Sequence, residues 1–400
     1  MKQVLTLVCK LQPTPEVTRK IESTLVAFAD ACNYINQEVK PTITSKTTIQ
    51  NMVYQTIREK FKLSANLAVR ACARVGANRK TAKQKKKPVK AFKPTSADYD
   101  SRIFAFREKD WSVSLTLIGG REHIPIQMGN YQRGKLKDKK PTSGQLCKHR
   151  DGSYYIHIQV KDKAPKPIKS DNVIGVDFGR TDIAVTSQNQ KWSGKEIRDV
   201  RDKYSSQRAS VQKKASKGTR SSRRRCRQLL KRLSGKERRF QRHVNHVISK
   251  TIILSAKESN SLVAIEDLTG IRDRTNQQRR SKTERRRSNS WAFYQLRTFL
   301  EYKGLMHGVE VIPVSPRYSS QTCHACMHIG LRSGKRFKCT SAECGWYGDA
   351  DENASYNLSI IGGVVSLLRG SEELSCAVNP GLLKHQGLAD GRKPLRFSQG

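Results

Sequence analysis

The residues of this 400-residue chain that could hold metal ions fall into two chemically distinct sets. The first is four cysteines within 22 residues, Cys323, Cys326, Cys339 and Cys344, on either side of a short basic segment. Soft thiolates arranged as two knuckles converge tetrahedrally on one structural Zn²⁺. The first knuckle is C-x2-C, whereas the second is stretched to C-x4-C and needs a looser turn. His324 and His328 stand beside the first knuckle and could substitute as ligands. The second set is three acids, Asp177, Glu266 and Asp351. Carboxylates are hard oxygen ligands, and three of them brought together would repel one another unless divalent cations such as Mg²⁺ relieved the repulsion.

Each acid sits at the end or start of an element. Val173–Gly179 reads as an apolar strand ending in Asp177, followed by a tight turn and a second strand, Ile183 to Thr186. Leu262–Leu268 is a further buried strand that ends in Glu266. The segment Asp349-Ala350-Asp351-Glu352-Asn353-Ala354 reads as a helix start with acids in its first turn. Asp349 suits the N-cap, and Asp351 is preferred as the ligand. Apolar strands rarely present a carboxylate at their mouth without a partner, because an unpaired buried charge is costly. The order strand-Asp, strand-Glu, helix-Asp is that of an RNase H-like nuclease core. There, two Mg²⁺ ions roughly 3.5–4 Å apart serve phosphodiester hydrolysis.

Charge selects the partner. Lys and Arg number 77 against 34 Asp and Glu, a formal net charge of +43. No small-molecule enzyme needs that excess, and a nucleic acid is the polyanion that matches it, with strongly salt-dependent binding. Between Gln207 and Arg242 fifteen residues are basic and only Glu237 is acidic, with Leu229, Leu230 and Leu233 suggesting helix. Residues 79–93 hold eight more basic residues and no acid, which reads as a solvated run or a phosphate contact. The six cysteines outside the knuckles, Cys9, Cys32, Cys72, Cys147, Cys226 and Cys376, show no paired spacing, which argues for a reducing compartment. No signal-peptide or membrane-spanning run is present. The expectation is a soluble protein of the prokaryotic cytosol or nucleoid.

The remaining elements frame these sites. Val4–Val8 alternates as a strand, and Thr14-Pro15-Glu16 opens a helix with Ile21, Leu25, Phe28 and Ala29 on one face. A second helix is expected from Thr48 to Phe61 and a third from Ala65 towards Arg79, with Ser64 as its N-cap. Period-two strands follow around Ile103–Phe106, Trp111–Leu117, His123–Ile126 and Tyr154–Val160, consistent with a β-barrel into which the helical bundle is inserted. Lys163 to Lys169 is a linker. Downstream of Glu266, Arg272 to Ser290 reads as a mobile loop. Trp291 to Tyr302 reads as a helix whose Trp291, Phe293, Tyr294 and Phe299 are core, and Val309–Val314 as a strand.

The motifs GVDFG, AIEDL, SWAFYQLRTFLEYKG…VEVIPVSPRYSSQTCHAC and DADENASYNL, spanning residues 174 to 358, resemble the TnpB family. These are transposon-associated RNA-guided DNA nucleases related to the type V CRISPR effectors. The N-terminal half matches only in layout, and Met327 stands where the family usually has Gly. The resemblance implies an α/β multidomain protein: a wedge β-barrel (1–11 and 94–165), a helical recognition domain (12–93), a RuvC-like nuclease domain (170–317 and 349–368), a zinc-ribbon target-nucleic-acid-binding insert (318–348) and a disordered tail (369–400). It implies that Asp177, Glu266 and Asp351 are the catalytic Mg²⁺ ligands. The partners it implies are a guide RNA and a double-stranded DNA target bearing a short adjacent motif. Asn51, Tyr54, Asn66 and Arg70, on polar or boundary faces of the inserted helices, are candidates for reading that motif. Arg223, Arg224 and Arg225 are candidates for nucleic-acid contact. Two competing readings remain at this point: a guided DNA-binding repressor without cleavage, and a transposase acting directly on transposon ends.

Overall fold

In the computed structural model, residues 2–271 and 292–370 are described, with 277, 279, 281, 284 and 285 between them. The expected loop 272–290, Trp291 and the expected tail therefore lie largely or wholly outside the described residues. The chain divides between Lys163 and Ala164 into two compact units.

In the first unit, β1 (Lys2–Leu11) alternates as its sequence demands, burying Leu7, Cys9 and Leu11 and exposing Val4 and Val8. Helices α1 (Pro15–Glu38), α2 (Lys46–Phe61) and α3 (Ala65–Gln84) follow. The Thr14 hydroxyl accepts from the Val17 N–H as the N-cap of α1. Ser64 holds the expected cap position of α3, but its hydroxyl makes no capping bond. Strands β2 (Ser96–Asp100), β3 (Phe104–Arg107), β4 (Ser112–Leu117), β5 (Gly120–Gln127), β6 (Ser143–Lys148) and β7 (Tyr154–Lys163) complete a seven-stranded sheet ordered β2-β6-β7-β1-β5-β4-β3. Its end strands β2 and β3 do not pair with each other, so the expected barrel is an open, near-barrel sheet. Helix α4 (Asn130–Leu136) and strands β2 and β6 have no counterpart in the sequence expectations. The reason is visible in β2: only Ala97 and Tyr99 are buried, while Asp98 and Asp100 face Arg74 and Arg70 of α3. Salt bridges, rather than apolar alternation, mark this strand.

The second unit is built on a five-stranded sheet, β10-β9-β8-β11-β12. Its strands are β8 (Val173–Asp177), β9 (Asp182–Thr186), β10 (Lys191–Ser193), β11 (Leu262–Glu266) and β12 (Val311–Val314). β8, β11 and β12 are parallel, whereas β9 and β10 fold back antiparallel. The basic tract forms α5 (Lys195–Lys217), α6 (Arg220–Leu233) and the start of α7 (Lys236–Glu258). Side chains alternate across the sheet. Ile174, Val176, Val263 and Ile265 pack with α7 and with α8 (Phe293–His307). Val173, Leu262, Ala264, Ile312 and Val314 pack with the last helix, α9 (Ala350–Gly370). Of the expected core aromatics of α8, Phe299 is buried and stacks on His246, but Tyr294 is 68% exposed, a correction to the core reading. Among the described residues no helix is long and apolar enough to cross a membrane.

Helix α9 lies directly on β8 because the facing positions are small. A Cβ on Gly175 would stand 1.9 Å from the Ser355 carbonyl oxygen, and one on Gly362 would meet the Ala264 Cβ at 2.5 Å. The obstacle at Gly175 is backbone, which cannot swing away. Gly175→Ala is therefore expected to destabilise this unit by about 3 kcal/mol through overpacking, a fall of roughly 5–10 °C in Tm. An unchanged melting profile would show that α9 can lift off β8 freely.

Candidate active site and metal centre

Strand register brings the acids together. Val176 lies beside Ile265 in the parallel β8–β11 pair, so the next residues, Asp177 and Glu266, leave the sheet side by side. Strand parity puts both on the face that α9 covers. The two carboxyls lie within hydrogen-bonding reach of each other, and the Asp351 charge acts on Asp177 across the same space. All three are buried, at 7–8% exposure. Burial, then the Asp351 charge, pushes the Asp177 carboxyl up from 3.8 to about 7. Burial and the neighbouring Asp177 raise Glu266 well above its ordinary value. Both shifts favour the neutral carboxyl, because two anions would otherwise be buried side by side.

Asp349 and Asp351 have different surroundings. The Asp349 Oδ1 accepts from the backbone N–H groups of Asp351 at 2.8 Å and Glu352 at 3.3 Å, so Asp349 caps α9. Burial opposes its ionisation, yet the Lys191 ammonium at 2.8 Å and these N–H groups hold it below the ordinary carboxylate range. Asp351 instead receives Arg332 Nη2 at 2.8 Å. The same guanidinium works against the raised pKa of both Asp177 and Glu266. Sequence reasoning missed Arg332. It projects from β13 (Gly330–Ser333), a strand of four residues with no apolar alternation to show which side faces the acids.

The donor chemistry suits divalent cations, with three buried carboxylates carrying more negative charge than one arginine offsets, although their oxygens do not all lie within 4.8 Å of one another. A testable consequence concerns the metal-free protein. Asp177 and Glu266 titrate higher folded than unfolded, so the folded state retains protons the unfolded chain has released, and stability falls as pH rises. Between about pH 5.5 and 7 the loss on Asp177 is on the order of 2 kcal/mol. EDTA-treated protein should therefore melt lower at pH 8 than at pH 5.5, with Mn²⁺ raising Tm more at pH 8. An equal Mn²⁺ shift at both pH values would count against these acids as the metal site.

The four cysteines each bring an Sγ within 4.8 Å of the others, the one such ligand group of three or more found among the described residues. The Cys323–Cys344 and Cys326–Cys339 sulfurs are 3.9 and 3.4 Å apart, close to the ~3.8 Å edge of a tetrahedral zinc–tetrathiolate site. Four thiolates with no open position suit a structural ion. Neither His324 nor His328 joins the group. The His324 Nδ1 lies 3.0 Å from Asn353 Oδ1 and its ring stacks on Tyr356, while the His328 Nδ1 lies 3.3 Å from the Cys326 carbonyl. The Met327 backbone adopts φ 63°, the left-handed region that favours glycine, and its N–H closes the knuckle on the Cys323 carbonyl at 2.8 Å. The C-x4-C turn is accommodated by Gly345 at φ 54°. A three-stranded sheet of β13, β14 (Arg336–Cys339) and β15 (Tyr347–Asp349) carries this module. Its strand β15 leads directly into α9, so the metal module and the third acid are continuous in the chain.

Two family models match. One, described as "Probable transposase", covers residues 155–271, and the other, "Cas12f1-like, TNB domain", covers residues 293–358. A TnpB-like protein of Methanocaldococcus jannaschii is 34% identical over 163 residues, 40% of this chain and 56% of that protein. Over this part of its length the chain is similar to TnpB-like proteins. The CRISPR-associated endodeoxyribonuclease Cas12f1 of Syntrophomonas palmitatica is 26% identical over 333 residues, 78% of this chain and 59% of that protein. The chain thus spans somewhat more than half the length of these TnpB-like and Cas12f1 relatives. A solved Cas12f1–sgRNA–target DNA complex shares the fold, with a TM-score of 0.57 at 13% identity over 86% of this chain and 80% of that one.

The remaining candidates differ in how free they are. The Arg70 Nε and Nη2 both bond Asp100 Oδ2, at 3.1 and 2.8 Å, and Asn66 accepts from Arg102 at 3.3 Å, so both are engaged within the first unit. Asn51 and Tyr54 line a shallow surface depression with Gln50 and Gln55. Arg223, Arg224 and Arg225 are exposed on α6, with the Arg223 Nε turned to the Gly218 carbonyl.

Proposed function

We propose that this chain is an RNA-guided, Mg²⁺-dependent DNA endonuclease encoded by a transposon, cutting DNA matched to a guide RNA beside a short adjacent motif. The observation that supports the reading is that buried Asp177 and Glu266 leave adjacent strand ends side by side, with the charge of buried Asp351, in the first turn of α9, acting on Asp177. The TnpB-like and endodeoxyribonuclease names of the relatives, and the sgRNA and target DNA of the structural neighbour, agree with it. Asp177, Glu266 and Asp351 would hold two Mg²⁺ ions, which activate water and stabilise the leaving oxygen when bound. Arg332 would balance charge at the same place. Cys323, Cys326, Cys339 and Cys344 would hold one Zn²⁺.

In this reading the near-barrel sheet is the wedge domain and α1–α3 the recognition helices. The five-stranded sheet with its flanking helices is the RuvC-like, RNase H-like core, and residues 318–348 are its zinc-ribbon insert. The net charge of +43 serves phosphates, while base pairing reads sequence. Asn51 and Tyr54 remain the more accessible motif-reading candidates, and Arg223–Arg225 face solvent for backbone contact. The work would take place in the cytosol, where DNA, RNA and reduced cysteines coexist.

The match to a model described as "Probable transposase" keeps a second reading open, direct action on transposon ends. One experiment separates them: extract and sequence the nucleic acid that purifies with the protein, then assay cleavage of matching DNA with Mg²⁺ or EDTA. A discrete RNA and Mg²⁺-dependent cutting support the guided nuclease. A discrete RNA with tight target binding and no cutting supports a guided repressor. No RNA, with binding to terminal repeats, supports the transposase.

A further inference from the structure

The link between the cysteine site and the acid site runs through one buried amide. Asn353 lies two residues after Asp351 and is fully buried. Two residues on a helix turn the side chain by about 200°, so Asp351 faces the strand acids while Asn353 faces the opposite way, into the cysteine module. There its Oδ1 accepts from the His324 backbone N–H at 3.0 Å, and its Nδ2 donates to the Thr322 carbonyl at 2.7 Å. Those two backbone groups flank Cys323, so the amide brackets a single metal ligand on both sides. One turn on, the Asn357 Nδ2 donates to the carbonyls of Ser319 at 2.8 Å and Thr322 at 2.7 Å. The first knuckle is therefore hydrogen-bonded to α9, beyond merely touching it.

We propose that Asn353 is a positioning residue that couples filling of the four-cysteine site to the placement of Asp351 against Asp177 and Glu266. This rests on the nuclease reading for the role of the acids and adds a linkage that reading does not contain. With zinc in place, the Thr322–His324 backbone is fixed, and Asn353 fixes the rotation and height of the first turn of α9. Without the amide, α9 is still held on β8 by the Gly175 contact and on the knuckle by Asn357, but its first turn loses this constraint, and without zinc the module that supplies the constraint comes apart as well. For loss of the amide alone the consequence is a weaker divalent site and an intact fold. Loss of an outer-shell partner that orients a ligand lowers metal affinity by about 10–100-fold.

The test uses the full chain. Asn353→Ala removes the bonds to Thr322 and to the His324 backbone together with the contact to the His324 ring, and Asn353→Asp keeps the acceptor while losing the donor to Thr322. Mn²⁺ binding is measured by calorimetry in zinc-loaded wild type, in both variants and in wild type stripped of zinc; Mg²⁺ dependence of cleavage is measured in parallel. The expected result is roughly tenfold weaker Mn²⁺ binding in Asn353→Ala, an intermediate loss in Asn353→Asp, and at least as large a loss as in Asn353→Ala in zinc-stripped wild type. In the Asn353 variants half-saturating Mg²⁺ for cleavage rises by the same factor while the maximal rate stays within about twofold. A merely structural role would lower the maximal rate and leave half-saturation unmoved, and that outcome overturns the proposal. Equal Mn²⁺ affinity in wild type and both variants also overturns it and leaves the nuclease reading standing. Failure of wild type to bind Mn²⁺ at the acids removes the nuclease reading and the linkage together. Should Asn353→Ala not fold, Asn353→Asp decides the matter.

Discussion

Asp177→Asn is expected to abolish Mg²⁺-dependent cleavage while making the metal-free protein more stable. The amide fits the space of the carboxyl but removes a charge from a site where burial and Asp351 already push the acid up to about 7. In EDTA the variant should therefore melt above wild type, most clearly near pH 8. In Mn²⁺ the order should reverse, because wild type gains a bound ion and the variant does not. Turnover should fall by about a thousandfold or more, some 4 kcal/mol of transition-state stabilisation at tenfold per 1.36 kcal/mol. Retention of any guide RNA should not change. A variant that cuts as wild type does, or that melts lower in EDTA, would remove Asp177 from the metal site.

Cys323→Ser carries the second large effect, through a different physics. The module around the four cysteines has almost no core of its own: Cys323, Phe337, Cys339 and Ala350 are buried, with Trp346 and the other two cysteines partly so. Some thirty residues cannot fold on so little apolar area, and metal binding supplies the difference. Removing one thiolate should release the zinc, measured as metal per chain, and expose the β13–β15 amides to hydrogen exchange. The damage then spreads to the acids. Arg332 sits on β13, Asp349 ends β15 and caps α9, and Asp351 lies two residues further on. Cleavage should drop by about 100-fold or more. Cys226→Ser, on half-buried ground in α6, should leave zinc content unchanged and serves as the control. Equal zinc in Cys323→Ser and wild type would dismiss the assignment of the four cysteines as zinc ligands.

Several parts of the molecule were legible because one-dimensional pattern was enough. Apolar runs ending in an acid gave β8 with Asp177 and β11 with Glu266. Knuckle spacing gave the four cysteines that converge, and a capping acid followed by another gave the start of α9. The helices α1 to α3 came from apolar periodicity and cap residues. Strand β2 did not, since Asp98 and Asp100 are tolerable in a strand only because Arg74 and Arg70 approach from α3. Tyr294 was misplaced because an aromatic on an amphipathic helix looks the same whether its face meets the sheet or solvent.

What the sequence determined by itself is the chemistry on offer: soft ligands in knuckles, hard ligands at strand ends, and a basic excess suited to a polyanion. What only the tertiary structure decided is which groups share space. The separation of Asp349 as helix cap from Asp351 beside Arg332, the raised titration of neighbouring Asp177 and Glu266, and the Asn353 bonds to the backbone on either side of Cys323 all depend on contacts between residues far apart in the chain. Such contacts are set by strand register and by the close seating of α9 on Gly175, where a difference of one methyl group determines whether the helix can lie there at all.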